Sequence, residues 1–174
     1  MIRENPYGIE TIYGFKEIKI SNADILKYKE PYNILVVSVR EYNYKPFTGS
    51  LIGSLNRIGI DLKHIADDLE IDWRKDQHIW LSRPIDPLME HSKRIAGIEF
   101  TKAESYQKDD QVIKKRMKTF YGMLSAAHYM GYPIRKIVMP VIGTNHGHFD
   151  TEMIVRVLKE TAEEALKSIP SLMC

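Results

Sequence analysis

Two long stretches in the second half of the chain place apolar residues at the spacing of an α-helix. The longer one covers residues 109–130 and ends at Gly131-Tyr132-Pro133, a glycine and a nearby proline of the kind that terminates helices. The other covers residues 152–168, and Asp150 and Thr151 precede it as suitable N-cap residues. The pattern therefore predicts two long amphipathic helices.

Two shorter runs are almost continuously apolar and rich in β-branched residues. They cover residues 33–39 and 136–142, and both predict strands buried on their two faces. The first twenty residues alternate loosely, as one or two half-buried strands would. Residues 76–82 and 95–101 are further strand candidates.

Helical features separate these predicted strands. Residues 50–55 begin with a serine suited to a helix cap, and residues 60–69 place apolar side chains at helical spacing. Strands that alternate with helices predict an α/β fold with a mainly parallel sheet and helices on both faces. Because no repeat, low-complexity tract or linker interrupts the 174 residues, we expect a single domain over residues 1–174.

Composition and charge narrow the function classes. The chain is 44% hydrophobic and 28% charged, as in ordinary globular proteins, and its net charge of +2 argues against a nucleic-acid partner. The single cysteine, Cys174, allows neither an intrachain disulfide nor a thiolate metal site. No apolar run approaches the roughly 20 residues of a membrane span, and the first residues lack a signal-peptide pattern. We therefore expect a cytoplasmic protein.

Each of the two most apolar strands is followed by a loop with two glycines that opens a helix. The first loop is Thr-Gly-Ser-Leu-Ile-Gly at 48–53, and the second is Gly-Thr-Asn-His-Gly-His at 143–148. Glycine lets backbone N–H groups converge on an anion, so a pair of such loops suits a diphosphate. An ordinary turn role stays open. Neither loop has the spacing of a P-loop or of the dinucleotide fingerprint, which disfavours kinases and dehydrogenases.

Two segments resemble macro domains. Residues 19–25, Lys-Ile-Ser-Asn-Ala-Asp-Ile, are similar to the family's opening segment, with Asp24 at the aspartate that accepts a hydrogen bond from the adenine amino group and Ala23 in place of a glycine. Residues 139–149 resemble the family's second phosphate loop, most closely in variants from bacterial conflict and NAD-linked signalling systems. Asn145 and His148 stand where those variants have glycine. The resemblance runs from about Ile18 to Ser168 in the family's order.

The resemblance implies a three-layer α/β/α domain, with a mixed and largely parallel sheet, that binds ADP-ribose or a related NAD-derived nucleotide. The ligand-binding residues predicted on this basis are Asp24, Ile25, Arg40, Glu41, Thr48, Gly49, Ser50, Leu51, Ile52, Gly53, Ile142, Gly143, Thr144, Asn145, His146, Gly147, His148 and Phe149.

Residues 38–43 depart from the family pattern, since Ser-Val-Arg-Glu-Tyr-Asn replaces the asparagine pair of hydrolytic macro domains. This departure favours a reader, sensor or sequestering protein. Two alternatives remain: a hydrolase of ADP-ribose linkages, with Glu41, Asp150 or a loop histidine activating water, and an interaction protein that has the fold but no pocket. No catalytic residue is assigned, and neither a metal nor a cofactor is expected.

Several single residues admit two interpretations. Asp24 also suits a simple turn cap, and Phe149 suits either stacking or core packing. Arg40 can contact a phosphate or pair with a carboxylate. His146 and His148 alternate, so an extended backbone would point them to opposite sides and they would not readily share a metal. His78 has no recognisable partner in the sequence.

Overall fold

The computed structural model describes residues 7–21, 24–28, 30–85, 94–104, 110–132, 134–142 and 150–172. The strands within these residues are β1 Tyr7–Thr11, β2 Gly14–Ile18, β3 Ile34–Arg40, β4 Leu69–Trp73, β5 Ile79–Ser82, β6 Arg94–Phe100 and β7 Ile137–Val138. The helices are α1 Leu51–Arg57, α2 Leu62–Asp67, α3 Arg74–Gln77, α4 Asp110–Tyr129 and α5 Thr151–Ser168. A 3-10 turn covers Ile25–Lys27.

The two long predicted helices are confirmed as α4 and α5. The Asp150 side chain accepts a hydrogen bond from the Met153 N–H at 2.9 Å, and so caps the start of α5. After α4, Gly131 has a φ of 87°, a value that glycine adopts without the cost other residues bear. None of the helices in the described ranges combines the length and apolar character that crossing a membrane requires.

The main sheet has five strands in the order β4-β5-β6-β3-β7. β3 pairs in parallel with β6 and β7, whereas β5 pairs antiparallel with β4 and β6. The fold is therefore α/β with a mixed sheet, and its parallel part consists of β3 and its two neighbours. The predicted strand at 136–142 forms only two paired residues. Pro140 lies two residues beyond β7 and has no N–H to extend the ladder.

Strand β3 is buried on both faces, as predicted. Ile34 and Val36 belong to a core cluster that includes residues of α4 and α5. Leu35, Val37 and Val39 belong to a second cluster that includes residues of α1 and α2. Because successive side chains of a strand point to opposite faces, the two clusters lie on opposite sides of β3.

Strands β1 and β2 form a separate antiparallel hairpin that contacts α5. The buried Lys16 of β2 donates from its Nζ to the carbonyl oxygens of Leu166 at 2.8 Å, Ile169 at 2.7 Å and Pro170 at 3.2 Å. The last carbonyls of a helix have no partner within it and carry partial negative charge. The Lys16 ammonium therefore caps the end of α5 and fixes the hairpin against it.

Candidate functional site

A cavity of about 480 Å³ lies between the β1–β2 hairpin and β7, the edge strand of the main sheet. The residues that follow β2 form one wall, and β7 with the residues that follow it forms another. Leu158 and Ala162 of α5 also line it. Apolar side chains such as Ile20 and Met139 make up much of its surface. Its volume falls within the range of small-molecule sites, about 300–1,000 Å³.

Three lysines, Lys19, Lys136 and Lys159, give this mainly apolar cavity a cationic character. Lys136 forms an ion pair with Glu30 and lies 5.2 Å from the centre of the Tyr28 ring. Burial lowers the pKa of Lys136, but its hydrogen bonds to Glu30 and Tyr28 outweigh this effect and raise the pKa above its usual value. Apolar walls with protonated lysines suit a ligand that combines a flat apolar part with negative charge.

The turn that contains Asp24 borders this cavity. Ile25 lines the cavity, and Asp24 caps the 3-10 turn by accepting a hydrogen bond from the Leu26 N–H at 3.1 Å on its Oδ1. The other carboxylate oxygen, Oδ2, lies 3.8 Å from the Nζ of Lys27. The capping role left open by the sequence is therefore present. The cap engages Oδ1 of Asp24 with the Leu26 N–H, whereas Oδ2 is near the Lys27 side chain.

The first glycine loop is explained by the geometry of a helix start. Gly49 has a φ of 83°, and Ser50 caps α1 by accepting from the Gly53 N–H at 2.9 Å. A Cβ at Gly53 would overlap the Phe47 carbonyl, so only glycine fits there. Ile52 is buried in the core, and Thr48 is exposed. Within the described ranges, no residue of 48–53 lines the cavity.

The second glycine loop lies outside the described residues, and with it the predicted residues Gly143, Thr144, Asn145, His146, Gly147, His148 and Phe149. The segment that leads to it is described. Met139, Pro140 and Val141 line the cavity, and Ile142 is fully buried in the core cluster that includes α4 and α5. The cavity therefore adjoins the segment from which this loop begins.

A second group of polar residues lies at the carboxyl end of β3. Arg40 is exposed, and Glu41 approaches His78 with its Oε1 3.2 Å from the imidazole Nδ1. The two groups are close enough for an ion pair, yet the buried Nδ1 has no aligned hydrogen bond among the described residues. No local pattern connects these two residues, because Glu41 follows β3 and His78 directly precedes β5.

Glu99 on β6 is completely buried beside this pair, and sequence reasoning missed it. Its Oε1 accepts from the Tyr44 hydroxyl and from Trp80 Nε1 at 3.2 Å, and its Oε2 accepts from the Tyr42 N–H at 3.3 Å. Arg74 donates to the Tyr44 hydroxyl at 3.3 Å. Burial, followed by the bond to Glu99, raises the pKa of Tyr44 and keeps it a hydrogen-bond donor.

Glu99 also holds two unusual backbone conformations. Tyr42 and His78, with φ of 51° and 57°, are the non-glycine residues with positive φ in the described part of the chain. Besides binding the Tyr42 N–H, Glu99 donates its own N–H to the His78 carbonyl at 2.7 Å. Left-handed backbone is unfavourable for a bulky residue such as Tyr42, whereas His78 adopts it as the C-cap of α3. One buried residue therefore hydrogen-bonds the backbone at both positions.

The described residues contain no group of three histidine, cysteine or carboxylate side chains arranged to hold a metal ion. The chain matches no protein-family model, and no curated protein shows significant similarity to it. Two regions of the described residues are therefore the candidates for a functional site: the lysine-bordered cavity beside β7, and the Glu99 network at the carboxyl end of β3.

Proposed function

We propose that this chain is a macro-like domain that binds ADP-ribose or a related NAD-derived nucleotide, with the adenine in the cavity between β2 and β7. The observation that supports this most is the position of the cavity. It lies between the turn of Asp24 and Ile25, which resembles the adenine-binding turn of macro domains, and the segment that leads into the second glycine loop.

The chemistry of the cavity supports the same ligand. An adenine ring is flat and largely apolar on its faces, which suits walls formed by side chains such as Ile25 and Met139. The lysines at the cavity favour the phosphates attached to it. The glycine loop that begins after Ile142 would then supply N–H groups to the diphosphate. Core clusters on both sides of β3 support the three-layer arrangement that such a domain requires.

In this proposal the protein reads, senses or sequesters the nucleotide. The contact between Glu41 and His78 provides one specific reason to consider hydrolysis as a second function, because a carboxylate beside an imidazole can take a proton from an attacking water. The two functions differ in the fate of the ligand. After prolonged incubation with an ADP-ribose derivative, a reader leaves the ligand intact, whereas a hydrolase converts it into products.

Calorimetric titration with ADP-ribose tests the proposal, with Asp24→Asn as the informative variant. Asparagine still accepts from the Leu26 N–H through its Oδ1, so the turn remains capped. The second oxygen becomes an NH₂ group, which repels the adenine amino group. We therefore expect the affinity for ADP-ribose to fall about tenfold, since a lost acceptor for a desolvated donor costs about 1–3 kcal/mol.

Asp61→Asn is the matched control. Asp61 caps α2 in the same way, through a bond from the Lys63 N–H at 2.9 Å, and none of the residues beside it line the cavity, whereas Asp24 directly precedes the cavity-lining Ile25. The Asp61→Asn variant should bind ADP-ribose with the same affinity as the unmodified protein. Equal binding by the Asp24 and Asp61 variants would contradict the adenine placement. Failure of the unmodified protein to bind ADP-ribose, or NAD and AMP titrated alongside it, would refute the proposed function itself, and would favour an interaction protein that keeps the fold.

A further inference from the structure

We infer that the nucleotide bound in the cavity carries a further phosphate group, besides its diphosphate, on the 2′- or 3′-hydroxyl of the adenosine ribose. The inference rests on the proposed function and narrows the ligand to a nucleotide that is phosphorylated in its adenosine half. It follows from the charges of the side chains that line the cavity and from their position relative to the second glycine loop.

The charged side chains that line the cavity are all lysines. None of the described lining residues is an aspartate or a glutamate, and Glu30, which pairs with Lys136, does not line the cavity. The Nζ of Lys159 lies 3.8 Å from the centre of the uncharged Tyr7 ring. Neither Lys159 nor Lys19 has a carboxylate within ion-pair distance among the described residues. Two of the three lysines are therefore available to an anionic group of the ligand.

Two of the lysines lie near the turn proposed to hold the adenine, which Asp24 begins and Tyr28 ends. The Nζ of Lys136 lies 5.2 Å from the centre of the Tyr28 ring. Glu30 accepts hydrogen bonds from the Tyr28 hydroxyl at 2.9 Å and from Lys136. The bond from Lys136 is the largest of the effects that lower the pKa of Glu30, and the positive charge of Lys19 adds to them. Lys19 and Lys136 therefore act on the same group beside this turn.

The lysines are displaced from the segment proposed to hold the diphosphate. Lys136 directly precedes β7, whereas the second glycine loop begins after Ile142, beyond the opposite end of this strand. Lys159 follows Thr151, the first residue of α5, by eight residues, which is about 12 Å along the helix axis. Because α5 begins just after the loop, both lysines are separated from it. They attract a diphosphate placed there only at a distance.

The adenosine half of ADP-ribose offers these lysines no charged group. Adenine and its ribose are neutral, and the negative charges of the molecule reside on the diphosphate. A phosphate monoester on the 2′- or 3′-hydroxyl adds about −1.5 to −2 charges near neutral pH, next to the adenine. Lysine ammonium groups on flexible stems bind such a group as point charges. The cavity therefore matches a ligand phosphorylated at this position better than it matches ADP-ribose.

Calorimetry with ADP-ribose and 2′-phospho-ADP-ribose tests this preference in the unmodified protein and in a double variant that combines Lys19→Gln with Lys159→Gln. Because these two lysines have no carboxylate partner among the described residues, their replacement breaks no ion pair there. We expect the unmodified protein to bind the phosphorylated ligand about tenfold more tightly, the size of one charge-assisted hydrogen bond. The double variant should bind both ligands equally, with its affinity for ADP-ribose unchanged.

Lys75→Gln is the matched control. It removes the same charge from an exposed lysine of α3, which connects β4 and β5 at the opposite edge of the sheet from β7. This variant should keep the preference for the phosphorylated ligand. Adenosine 2′,5′-bisphosphate and adenosine 3′,5′-bisphosphate, each compared with AMP, show which hydroxyl carries the phosphate. The isomer that binds more tightly should lose its advantage in the double variant.

If ADP-ribose binds but a phosphate on neither hydroxyl raises the affinity, the inference fails and the proposed function stands. The same holds if the gain in affinity persists in the double variant. It also holds if the double variant loses affinity equally for ADP-ribose and its 2′-phosphate, because the lysines would then act on the diphosphate. Failure of the unmodified protein to bind any of these nucleotides would refute the proposed function and the inference together.

Discussion

Replacing Glu99 by leucine should destabilise the fold strongly, whereas replacing it by glutamine should not. The leucine removes every acceptor and leaves two buried donors, the Trp80 indole N–H and the Tyr44 hydroxyl, without an acceptor. A buried donor without an acceptor costs about 1–3 kcal/mol. The Tyr42 N–H is only partly buried and can bind water instead. We therefore expect a loss of about 4 kcal/mol in the free energy of unfolding.

The glutamine variant separates the lost hydrogen bonds from the lost charge. Its amide oxygen can accept from Tyr44 and Trp80, as Oε1 of Glu99 does, while its NH₂ group faces the Tyr42 N–H. Only this last bond is lost, so we expect a decrease of about 1 kcal/mol. For a chain of this size, about 2–4 °C in Tm accompanies each kcal/mol, which gives about 8–16 °C for leucine and about 2–4 °C for glutamine.

Urea and thermal unfolding followed by circular dichroism measure both variants, with Glu10→Gln on the exposed face of β1 as the control. The urea m-value should stay unchanged, which shows that the comparison concerns stability rather than compactness. A leucine variant as stable as the unmodified protein would show that Glu99 is not needed as the acceptor for these donors. A glutamine variant as unstable as the leucine variant would show that the negative charge, and not the hydrogen bonds, is decisive.

Lys16→Met should lower the free energy of unfolding by about 2 kcal/mol, because three carbonyls at the end of α5 lose their cationic donor. Urea unfolding measures this against the exposed Lys45→Met, and equal stability of the two variants would contradict the capping role. Burial by itself raises the pKa of Glu104, but hydrogen bonds from Arg116 and Thr101 outweigh it and lower the pKa below 4.5. The stabilisation by Glu104 is therefore present above about pH 4.5 and is lost as the pH falls through the folded-state pKa. The free energy of unfolding of Glu104→Gln should accordingly change less with pH in the acid range. If the free energy of unfolding of that variant fell as steeply at acid pH as that of the unmodified protein, the Glu104 carboxylate would not contribute to stability.

The elements that the sequence predicts well are those whose signal is local. Helices α4 and α5 show apolar periodicity over several turns, and β3 is an uninterrupted apolar run. Strand β4 was not predicted, because its five residues directly follow a helical pattern in the sequence. They form a strand because they pair with β5. At such positions, pairing with a neighbouring strand decides the structure more than the intrinsic preferences of the residues do. The predicted strand at 136–142 was too long for the same reason, as pairing with β3 is confined to two residues.

The residues of the candidate site also differ in whether the sequence carries a local signal for them. The sequence predicts a ligand-binding turn at Asp24 and Ile25, and of these two residues Ile25 lines the cavity. It could not identify the Glu99 network, whose partners Tyr42 and Tyr44 lie 57 and 55 residues away along the chain. One signal was present: a glutamate within the apolar run Ile-Ala-Gly-Ile-Glu-Phe. A carboxylate in a buried strand requires buried hydrogen-bond donors as partners.

The contact between Trp80 and Glu99 gives the protein an intrinsic optical probe. Of the two tryptophans in the chain, Trp80 is completely buried and Trp73 is 37% exposed. A Cβ at Gly97 would overlap the Trp80 ring, which shows how closely the indole is packed against β6. Its Nε1–H binds the same carboxylate that binds the Tyr42 N–H, so a displacement of that carboxylate changes the surroundings of the indole. With Trp73 replaced by phenylalanine, tryptophan fluorescence would report on this buried network, in solution and in real time, without an attached dye.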